Sequence, residues 1–167
     1  MPTTQEQHFI QQLQTHQAIV HKVCNMYVHH VTEREDLFQE ISGQAWKAFA
    51  SFRGDAKFST WLYRVAINTA VAHYRKQKRT ITTITADSFP TIAQSDDTLE
   101  KQQAIAMYKA IAALPPVDKA LVMLYLDDFS YADIGETLGI TANNVAVKMN
   151  RLKQKLKVDS EKILETL

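Results

Sequence analysis

Apolar residues recur three or four positions apart through most of the chain, the spacing that places them on one face of an α-helix. In the first half, three such stripes predict a helix over residues 5–30, a second from Thr32 to a break at residues 52–59, and a third over residues 58–79. Thr32, with Glu35 three residues later, predicts a capping box at the start of the second helix. The three stripes comprise Phe9, Leu13, Val20, Val23, Tyr27 and Val31; Leu37, Ile41, Ala45, Ala48 and Phe52; and Phe58, Trp61, Leu62, Val65 and Ala66.

The second half repeats the helical pattern after an interruption. Residues 80–98 contain Pro90, several Ser and Asp residues and no regular period, which favours an extended acidic linker. Helices are then predicted over about residues 99–114 and 115–128, with "LPP" at the boundary between them. The sequence therefore predicts an all-α protein with two small helical domains, residues 5–79 and 99–160, joined by the linker.

Residues 130–157 have the order of signals typical of a helix-turn-helix. Ser130 predicts the start of a short helix whose inner face carries Tyr131, Ile134 and Leu138, and Gly139 predicts the sharp turn that ends it. Thr141 predicts the cap of the next helix, whose buried seam consists of Val145, Met149, Leu152 and Leu156. Asn143, Asn144, Lys148, Arg151 and Lys155 fall on its other faces. This arrangement is typical of a DNA-recognition helix, and the alternative is an ordinary helical hairpin with a charged exterior.

Charge is unevenly distributed along the chain, although the net charge is only +1. One basic segment ends the third helix and a second lies at residues 148–157, while residues 82–100 and 118–136 are predominantly acidic. Two basic segments favour two contacts with one nucleic acid. The alternative is solvated helix ends, because Lys and Arg favour helix C-termini.

The composition argues against several other classes of protein. At 167 residues, with 46% hydrophobic and 22% charged residues, the chain is typical of a globular protein, and Cys24 cannot form an internal disulfide. The sequence shows no membrane span and no secretory leader, so we expect a cytoplasmic location. The six histidines lack metal-site spacing, and no catalytic motif is present. We expect neither enzymatic activity nor a cofactor.

Three stretches together resemble the extracytoplasmic-function sigma factors of the sigma-70 family. "EDLFQEISGQAWKAFASF" and "FRGDAKFSTWLYRVAINTAVAHYRKQKR" resemble region 2 of that family, and residues 129–157 resemble region 4. The resemblance implies a subunit that binds core RNA polymerase, through the β′ clamp helices and the β flap, and directs it to promoter DNA. It also implies an anti-sigma factor as a further partner.

The resemblance implies roles for particular residues in the first domain. Asp36, Leu37, Gln39 and Glu40 match the segment that docks on the polymerase, although a solvated helix start explains their polarity equally well. The minus-ten promoter element would be bound by Trp61, Arg64, Asn68, Arg75, Lys76, Lys78 and Arg79, with Asn68 near an extruded base and the basic end on phosphates. Trp61 has the alternative of a core position.

In the second domain, the resemblance implies that the minus-thirty-five element is read by Thr141, Asn143, Asn144, Lys148, Arg151 and Lys155. The run "NNVAVK" departs from the family pattern at the specificity positions, so the promoter sequence cannot be read from the chain. Two alternatives remain for the function as a whole. One is a stand-alone helix-turn-helix regulator, and the other is an anti-sigma or adaptor protein that binds only proteins.

Overall fold

A computed structural model describes residues 1–77 and 98–167 of the protein. Every regular element in these ranges is an α-helix, which confirms the predicted all-α fold class. The described residues form two compact units, unit 1 before residue 78 and unit 2 after residue 97. The predicted linker falls outside the described residues except for Thr98, which caps the first helix of unit 2.

Unit 1 contains four helices. They are α1 (Thr4–Thr15), α2 (Gln17–Tyr27), α3 (Val31–Phe49) and α4 (Phe58–Gln77). Helix α4 packs against both α2 and α3, and its apolar face supplies the fully buried Leu62, Ala66 and Ile67. The α3 residues Leu37 and Ile41 are also fully buried, as the stripe in the sequence predicts. The core of unit 1 therefore lies between α4 and the two helices that precede it.

The prediction of one long helix over residues 5–30 is wrong, because the chain breaks at His16 between α1 and α2. His16 Nδ1 lies 2.9 Å from the carbonyl oxygen of Gln12, and the Thr15 hydroxyl donates to the carbonyl of Gln11 at 2.9 Å. Side chains that occupy main-chain carbonyls in this way compete with the helical hydrogen bonds. The His16 ring also lies 5.3 Å from that of Phe58 on α4. A hydrophobic stripe carries no signal of such a break.

The predicted capping box at Thr32 and Glu35 is also wrong. The cap position is His30, two residues before Thr32, so α3 begins at Val31, and His30 makes no side-chain cap hydrogen bond. Arg34 Nε donates to the carbonyl of Val28 and Arg34 Nη2 to that of His29, both at 2.9 Å. The guanidinium thus ties the new helix to the end of the preceding segment. Val31, predicted as part of the first buried stripe, is 67% exposed.

One end of unit 1 is built from aromatic rings, which we call the aromatic cluster. It joins α1, the end of α3, the following loop and the start of α4, with ring-to-ring distances of 5.1–6.5 Å. Phe49 lies near its centre, because its ring is within 6.5 Å of five other members. The members are Phe9, Trp46, Phe49, Phe52, Phe58 and Trp61.

Unit 2 also contains four helices. They are α5 (Leu99–Ala112), α6 (Pro116–Leu126), α7 (Tyr131–Leu138) and α8 (Ala142–Glu165). Helix α8 packs against α5, α6 and α7, and the residues Leu121, Val122, Met123 and Leu124 of α6 are buried. Pro116 stands at the first position of α6, as the "LPP" boundary predicts. A long helix on three shorter ones is therefore the plan of unit 2.

Helices α7 and α8 both begin at the predicted caps. The Ser130 hydroxyl accepts a hydrogen bond from the backbone N–H of Asp133, and the Thr141 hydroxyl accepts one from the backbone N–H of Asn144, both at 3.1 Å. Gly139 ends α7 in the left-handed conformation, with φ of 75°. Sequence reasoning overlooked Gly135, where a Cβ atom would lie 2.5 Å from the carbonyl oxygen of Ile140. Only glycine lets the chain turn back so closely over α7.

Candidate nucleic-acid interface

Helix α8 separates its packing residues from its polar residues. Val145, Met149, Leu152 and Leu156 are at most 6% exposed, so the predicted seam is confirmed as the buried face. This face fixes the rotation of the helix on unit 2. The opposite side, starting directly after the Thr141 cap, is left toward solvent.

The outward side of α8 presents the side chains expected of a DNA-binding helix. Asn144, Lys148, Arg151 and Lys155 follow one another at steps of four, three and four residues, so they line one face of the helix. All four are exposed, as are Asn143 and the capping residue Thr141. Asn can pair with adenine, Arg and Lys can pair with guanine, and either cation can bind a phosphate. The structure thus brings together, on one accessible surface, the residues predicted to read the minus-thirty-five (upstream) element.

Two lysines of α8 have neighbours within the protein. Lys155 Nζ lies 2.9 Å from a carboxylate oxygen of Asp159, one turn further along. Lys153 Nζ lies 4.6 Å from the centre of the Tyr125 ring on α6, and its hydrogen bond to Tyr125 raises the pKa of Lys153. Lys153 therefore joins α8 to α6, whereas Lys155 has part of its charge neutralised by a carboxylate.

The outward side of α8 also contains residues that sequence reasoning missed. Val147 is 44% exposed, and Asn150 is exposed as well. Both lie on the helix surface between residues that were predicted to contact DNA. A signal was present in the sequence, because neither position belongs to the spacing of the buried seam. Val147 was overlooked because an apolar residue in an amphipathic helix is normally taken as part of the core.

Helix α4 presents a second polar surface in unit 1. Asn68, Arg75 and Lys76 are exposed, and Arg64 is half-buried one turn before Asn68. Steps of four and seven residues place Arg64, Asn68 and Arg75 on a common face. Lys78 and Arg79, the last two residues of the predicted minus-ten surface, lie outside the described residues.

Trp61 has the packing of a core residue along part of its side chain. Its ring centre lies 5.1 Å from that of Phe52, 5.4 Å from that of Phe58 and 6.1 Å from that of Phe49. The residue is nevertheless only half-buried, and it lies seven residues before Asn68 on the same face of α4. The ring contacts support a core position for part of Trp61, and its half-buried state leaves some of the side chain accessible. Its role in binding DNA stays a prediction.

The predicted polymerase-docking residues on α3 divide into two kinds. Asp36 and Gln39 are exposed, whereas Leu37 is fully buried in the core of unit 1. A side chain with no exposed surface cannot contact a docked partner, so we assign Leu37 to packing. Asp36 and Gln39 lie three residues apart on one helix face, where a carboxylate and an amide are accessible.

Glu40, the fourth predicted docking residue, is bound to α4. A Glu40 carboxylate oxygen lies 3.1 Å from His73 Nδ1, across a sequence separation of 33 residues. The His73 side chain is 14% exposed, and its other ring nitrogen, Nε2, is buried without a hydrogen-bond partner. The histidine therefore holds Glu40 against α4, and it connects the predicted docking surface with the helix that carries the predicted minus-ten surface.

Cys24 and Lys119 are buried titratable residues that lie away from these surfaces. Burial raises the pKa of the Cys24 thiol to about 11, so the thiol stays protonated at neutral pH. A buried, protonated thiol of this kind is a packing residue rather than a reactive one. Burial lowers the pKa of Lys119 on α6 to about 8, because an ammonium group loses its hydration there.

No helix in residues 1–77 or 98–167 has the length and apolarity to cross a membrane. Within the same ranges, no group of three or more His, Cys, Asp or Glu side chains is arranged to hold a metal ion.

Both units match models of one protein family. The model described as Sigma-70 region 2 matches residues 13–80, and the model described as Sigma-70, region 4 matches residues 104–156. The first match contains the exposed faces of α3 and α4, and the second contains the turn and the N-terminal half of α8. Together the two models cover more than two thirds of the chain.

Curated relatives match along most of the sequence. The chain is 27% identical over 149 residues to the ECF RNA polymerase sigma factor SigM of Mycobacterium tuberculosis, a match that covers 89% of this chain and 74% of SigM. It is 27% identical over 154 residues to the ECF RNA polymerase sigma factor SigW of Bacillus subtilis, covering 83% and 81%. It is 28% identical over 149 residues to the ECF RNA polymerase sigma-E factor of Escherichia coli, covering 80% and 78%.

Two solved structures share the fold. The sigma factor RpoE of Bartonella quintana, in complex with the anti-sigma factor NepR, matches with a TM-score of 0.71 at 20% identity, over 94% of this chain and 96% of RpoE. CnrH, in complex with the cytosolic domain of CnrY, matches with a TM-score of 0.61 at 18% identity, over 90% and 85%.

Proposed function

Because the chain belongs to the sigma-70 family and is an RNA polymerase sigma factor of the extracytoplasmic-function type, we propose that it binds core RNA polymerase and directs it to promoters through two DNA contacts. The observation that carries this proposal is the presence of both regions in one chain, in the order region 2 then region 4. Each region lies on a helical unit with one long basic helix.

The upstream contact is the N-terminal half of α8. Its buried seam fixes the helix in unit 2, and Asn143, Asn144, Lys148 and Arg151 are left exposed for the major groove of the minus-thirty-five element. Residues near the start of a recognition helix meet base edges, and the cations that follow bind phosphates. This division supports base reading by the two asparagines and Arg151, with Lys155 in a smaller role beside Asp159.

The downstream contact is the outer face of α4. Asn68 is exposed in the middle of this face, with Arg64 one turn before it and the basic Arg75 and Lys76 beyond. Bases that leave the stack need polar or aromatic surfaces, and the strand that carries them needs cations along its phosphates. We assign the minus-ten element to this face, with the open side of Trp61 available to an unstacked base.

The polymerase contact is the exposed start of α3. Asp36 and Gln39 offer accessible polar groups there, while Leu37 anchors the helix from within. We assign Asp36 to an ion pair with the β′ clamp helices and place Glu40 at the edge of the docking surface, held by His73. A β flap contact is assigned to unit 2 from the family resemblance.

Members of this family are transcription initiation factors rather than catalysts, and we propose that this chain likewise has no catalytic activity of its own. It would act in the cytoplasm, where polymerase and chromosome meet. The two structural relatives were solved with an anti-sigma factor or a cytosolic domain bound. These complexes support an anti-sigma factor as the regulator of this chain too.

Run-off transcription with purified core polymerase on sheared genomic DNA tests the proposal. We expect discrete new start sites that depend on the added protein, and we expect Asp36→Lys to abolish them together with binding to the core enzyme. Gln44→Lys, an exposed change on a later turn of α3, is the matched control and should leave transcription intact. Tight duplex binding by the protein alone, with no core binding and no new transcripts, would instead support the stand-alone regulator.

A further inference from the structure

We propose that Val147 reads the methyl group of a thymine in the minus-thirty-five element, and so is a specificity-determining residue of this chain. The inference rests on the proposed function, because it requires the N-terminal half of α8 to enter the major groove. It adds a base contact at a residue that carries no hydrogen-bonding group.

Val147 is placed where a base contact is expected. It lies six residues after the capping residue Thr141, in the second turn of α8, and 44% of it is exposed. Steps of three and four residues surround it with Asn143 and Asn144 on the preceding turn and with Asn150 and Arg151 on the following turn. An apolar side chain thus stands at the centre of four exposed polar ones.

The fold of unit 2 gives no reason for a valine at this position. The residues that pack α8 are at most 6% exposed, and Val147 is not among them. Valine is also a poorer helix former than the Lys, Gln or Arg that occupy other outward positions of α8, because its branched side chain is restricted in a helix. Stability would therefore favour a different residue there.

The chemistry of the major groove supplies a reason. The groove presents hydrogen-bond donors and acceptors on every base pair, and one apolar group, the C5 methyl of thymine. A valine methyl can bury that group but can form no hydrogen bond with any base. Among the natural base pairs, the one that best complements Val147 therefore contains thymine.

The same helix contains a matched control. Val158 is 48% exposed and lies eleven residues after Val147, three turns along and on nearly the same side. At the rise of an α-helix this is a distance of about 16 Å, so Val158 is far from the N-terminal turns that meet base edges. Asp159 and Glu161, next to it, are acidic residues that DNA would repel.

The experiment uses holoenzyme assembled from core polymerase and the full chain, either wild type, V147A or V158A. Each holoenzyme selects promoters from duplex DNA with a randomised upstream element. In the selected promoter, every thymine of that element is then replaced singly by uracil, which removes only the methyl group. We expect one position at which uracil weakens wild-type binding about fourfold, the effect of losing one buried methyl group.

At that position V147A should lose most of the wild-type preference for thymine over uracil, because the shorter alanine side chain covers less of the methyl group. V158A should behave as wild type. Equal binding of thymine and uracil by the wild type at every position would overturn the inference while leaving the proposed function intact. Equal loss with uracil in wild type and V147A would also overturn it. Selection of no upstream element by any holoenzyme would overturn the proposed function, and this inference with it. Circular dichroism of both variants checks that unit 2 remains folded.

Discussion

The two long basic helices differ in how closely their proposed DNA contacts are joined to the fold. On α8, the buried seam and the exposed polar residues are different side chains on different faces of the helix. On α4, Trp61 packs in the aromatic cluster and His73 holds Glu40 of α3, both close to the proposed DNA-binding residues. A substitution on α8 should therefore change DNA reading alone, whereas one on α4 should often change stability too.

This difference has a physical origin in the two tasks. Reading an intact duplex needs only a projecting helix with a fixed rotation, which a seam on one side provides. Holding unstacked bases needs an aromatic or polar surface that stays rigid while the bases bind, and neighbouring rings provide that rigidity. The DNA-reading residues of α8 can therefore be substituted without loss of packing. Those of α4 are constrained, because neighbouring side chains of the same helix belong to the core.

The largest effect is expected for Trp61→Ala. Removing this ring from the aromatic cluster should lower the free energy of unfolding of unit 1 by about 2–4 kcal/mol. The second tryptophan, Trp46, also lies in unit 1, so its fluorescence in denaturant reports that unit alone. Asn68→Ala, on the exposed face, should change this stability by less than about 0.5 kcal/mol and reduce promoter opening. If Trp61→Ala were as stable as the wild type, the proposed DNA contacts of α4 would be no more closely joined to the core than those of α8, and the distinction between the two helices would be lost.

The second effect concerns pH and unit 2. Lys119 has a folded pKa of about 8 and an ordinary value of 10.5. Between these pH values the unfolded chain binds more protons, so the free energy of unfolding should rise with pH, by at most about 1.4 kcal/mol per pH unit. The penalty of the buried charge is fully present below pH 8. In Lys119→Met the free energy of unfolding, measured by denaturation followed with far-UV circular dichroism, should no longer rise over this pH range. An unchanged rise would contradict its assignment to Lys119.

The third effect tests the close approach in the turn of unit 2. Gly135→Ala places a methyl group against the Ile140 carbonyl, and we expect a loss of about 1–3 kcal/mol in the free energy of unfolding of unit 2. Gly43, inside α3, has open space around it. Gly43→Ala is the matched control and should stabilise unit 1 by about 0.5–1 kcal/mol. Equal effects of the two substitutions would show that the turn tolerates a side chain.

The turn and the seam of α8 could be predicted because their signals are local. Ser130 and Thr141 cap helices through amides three residues away, and Gly139 meets a requirement of the backbone at its own position. The seam follows from spacing alone. These features depend on residues within one or two turns, so a single sequence contains all the information they need.

Features that depend on distant residues could not be predicted. The break at His16 is accompanied by packing against Phe58, and the Glu40–His73 contact joins residues 33 positions apart. At the start of α3 the structure has no capping box at Thr32, and the Arg34 guanidinium instead binds the Val28 and His29 carbonyls. In each case a tertiary or medium-range contact overrides a local preference.

The fourth effect tests base reading by α8. Arg151→Ala should weaken binding of the holoenzyme to the upstream element about tenfold, the size expected for one specific base contact. The stability of unit 2 should change by less than about 0.5 kcal/mol, because the side chain is exposed. Lys157→Ala, on another side of α8, is the control. If Arg151→Ala changed the stability of unit 2 but not DNA binding, the proposed separation of DNA-reading residues from packing residues on α8 would be contradicted.

The smallest effect distinguishes two lysines on one face of α8. Lys148→Ala should weaken upstream binding more than Lys155→Ala, because Asp159 already neutralises part of the Lys155 charge. Asp159→Asn should strengthen binding by less than about threefold, since an exposed ion pair contributes little. Titration of the four proteins at several salt concentrations measures this difference, and the reverse order of the two lysine variants would contradict it.

Footprinting of the holoenzyme on a promoter that it selects tests the central claim most directly. We predict protection of two separate DNA segments, with permanganate-reactive thymines, which mark unpaired bases, only at the downstream one. Arg151→Ala should weaken the upstream protection, and Asn68→Ala should reduce the permanganate reactivity while the upstream protection persists. The account would be contradicted if the protein without polymerase protected a single duplex segment and if no thymines became reactive when polymerase was added.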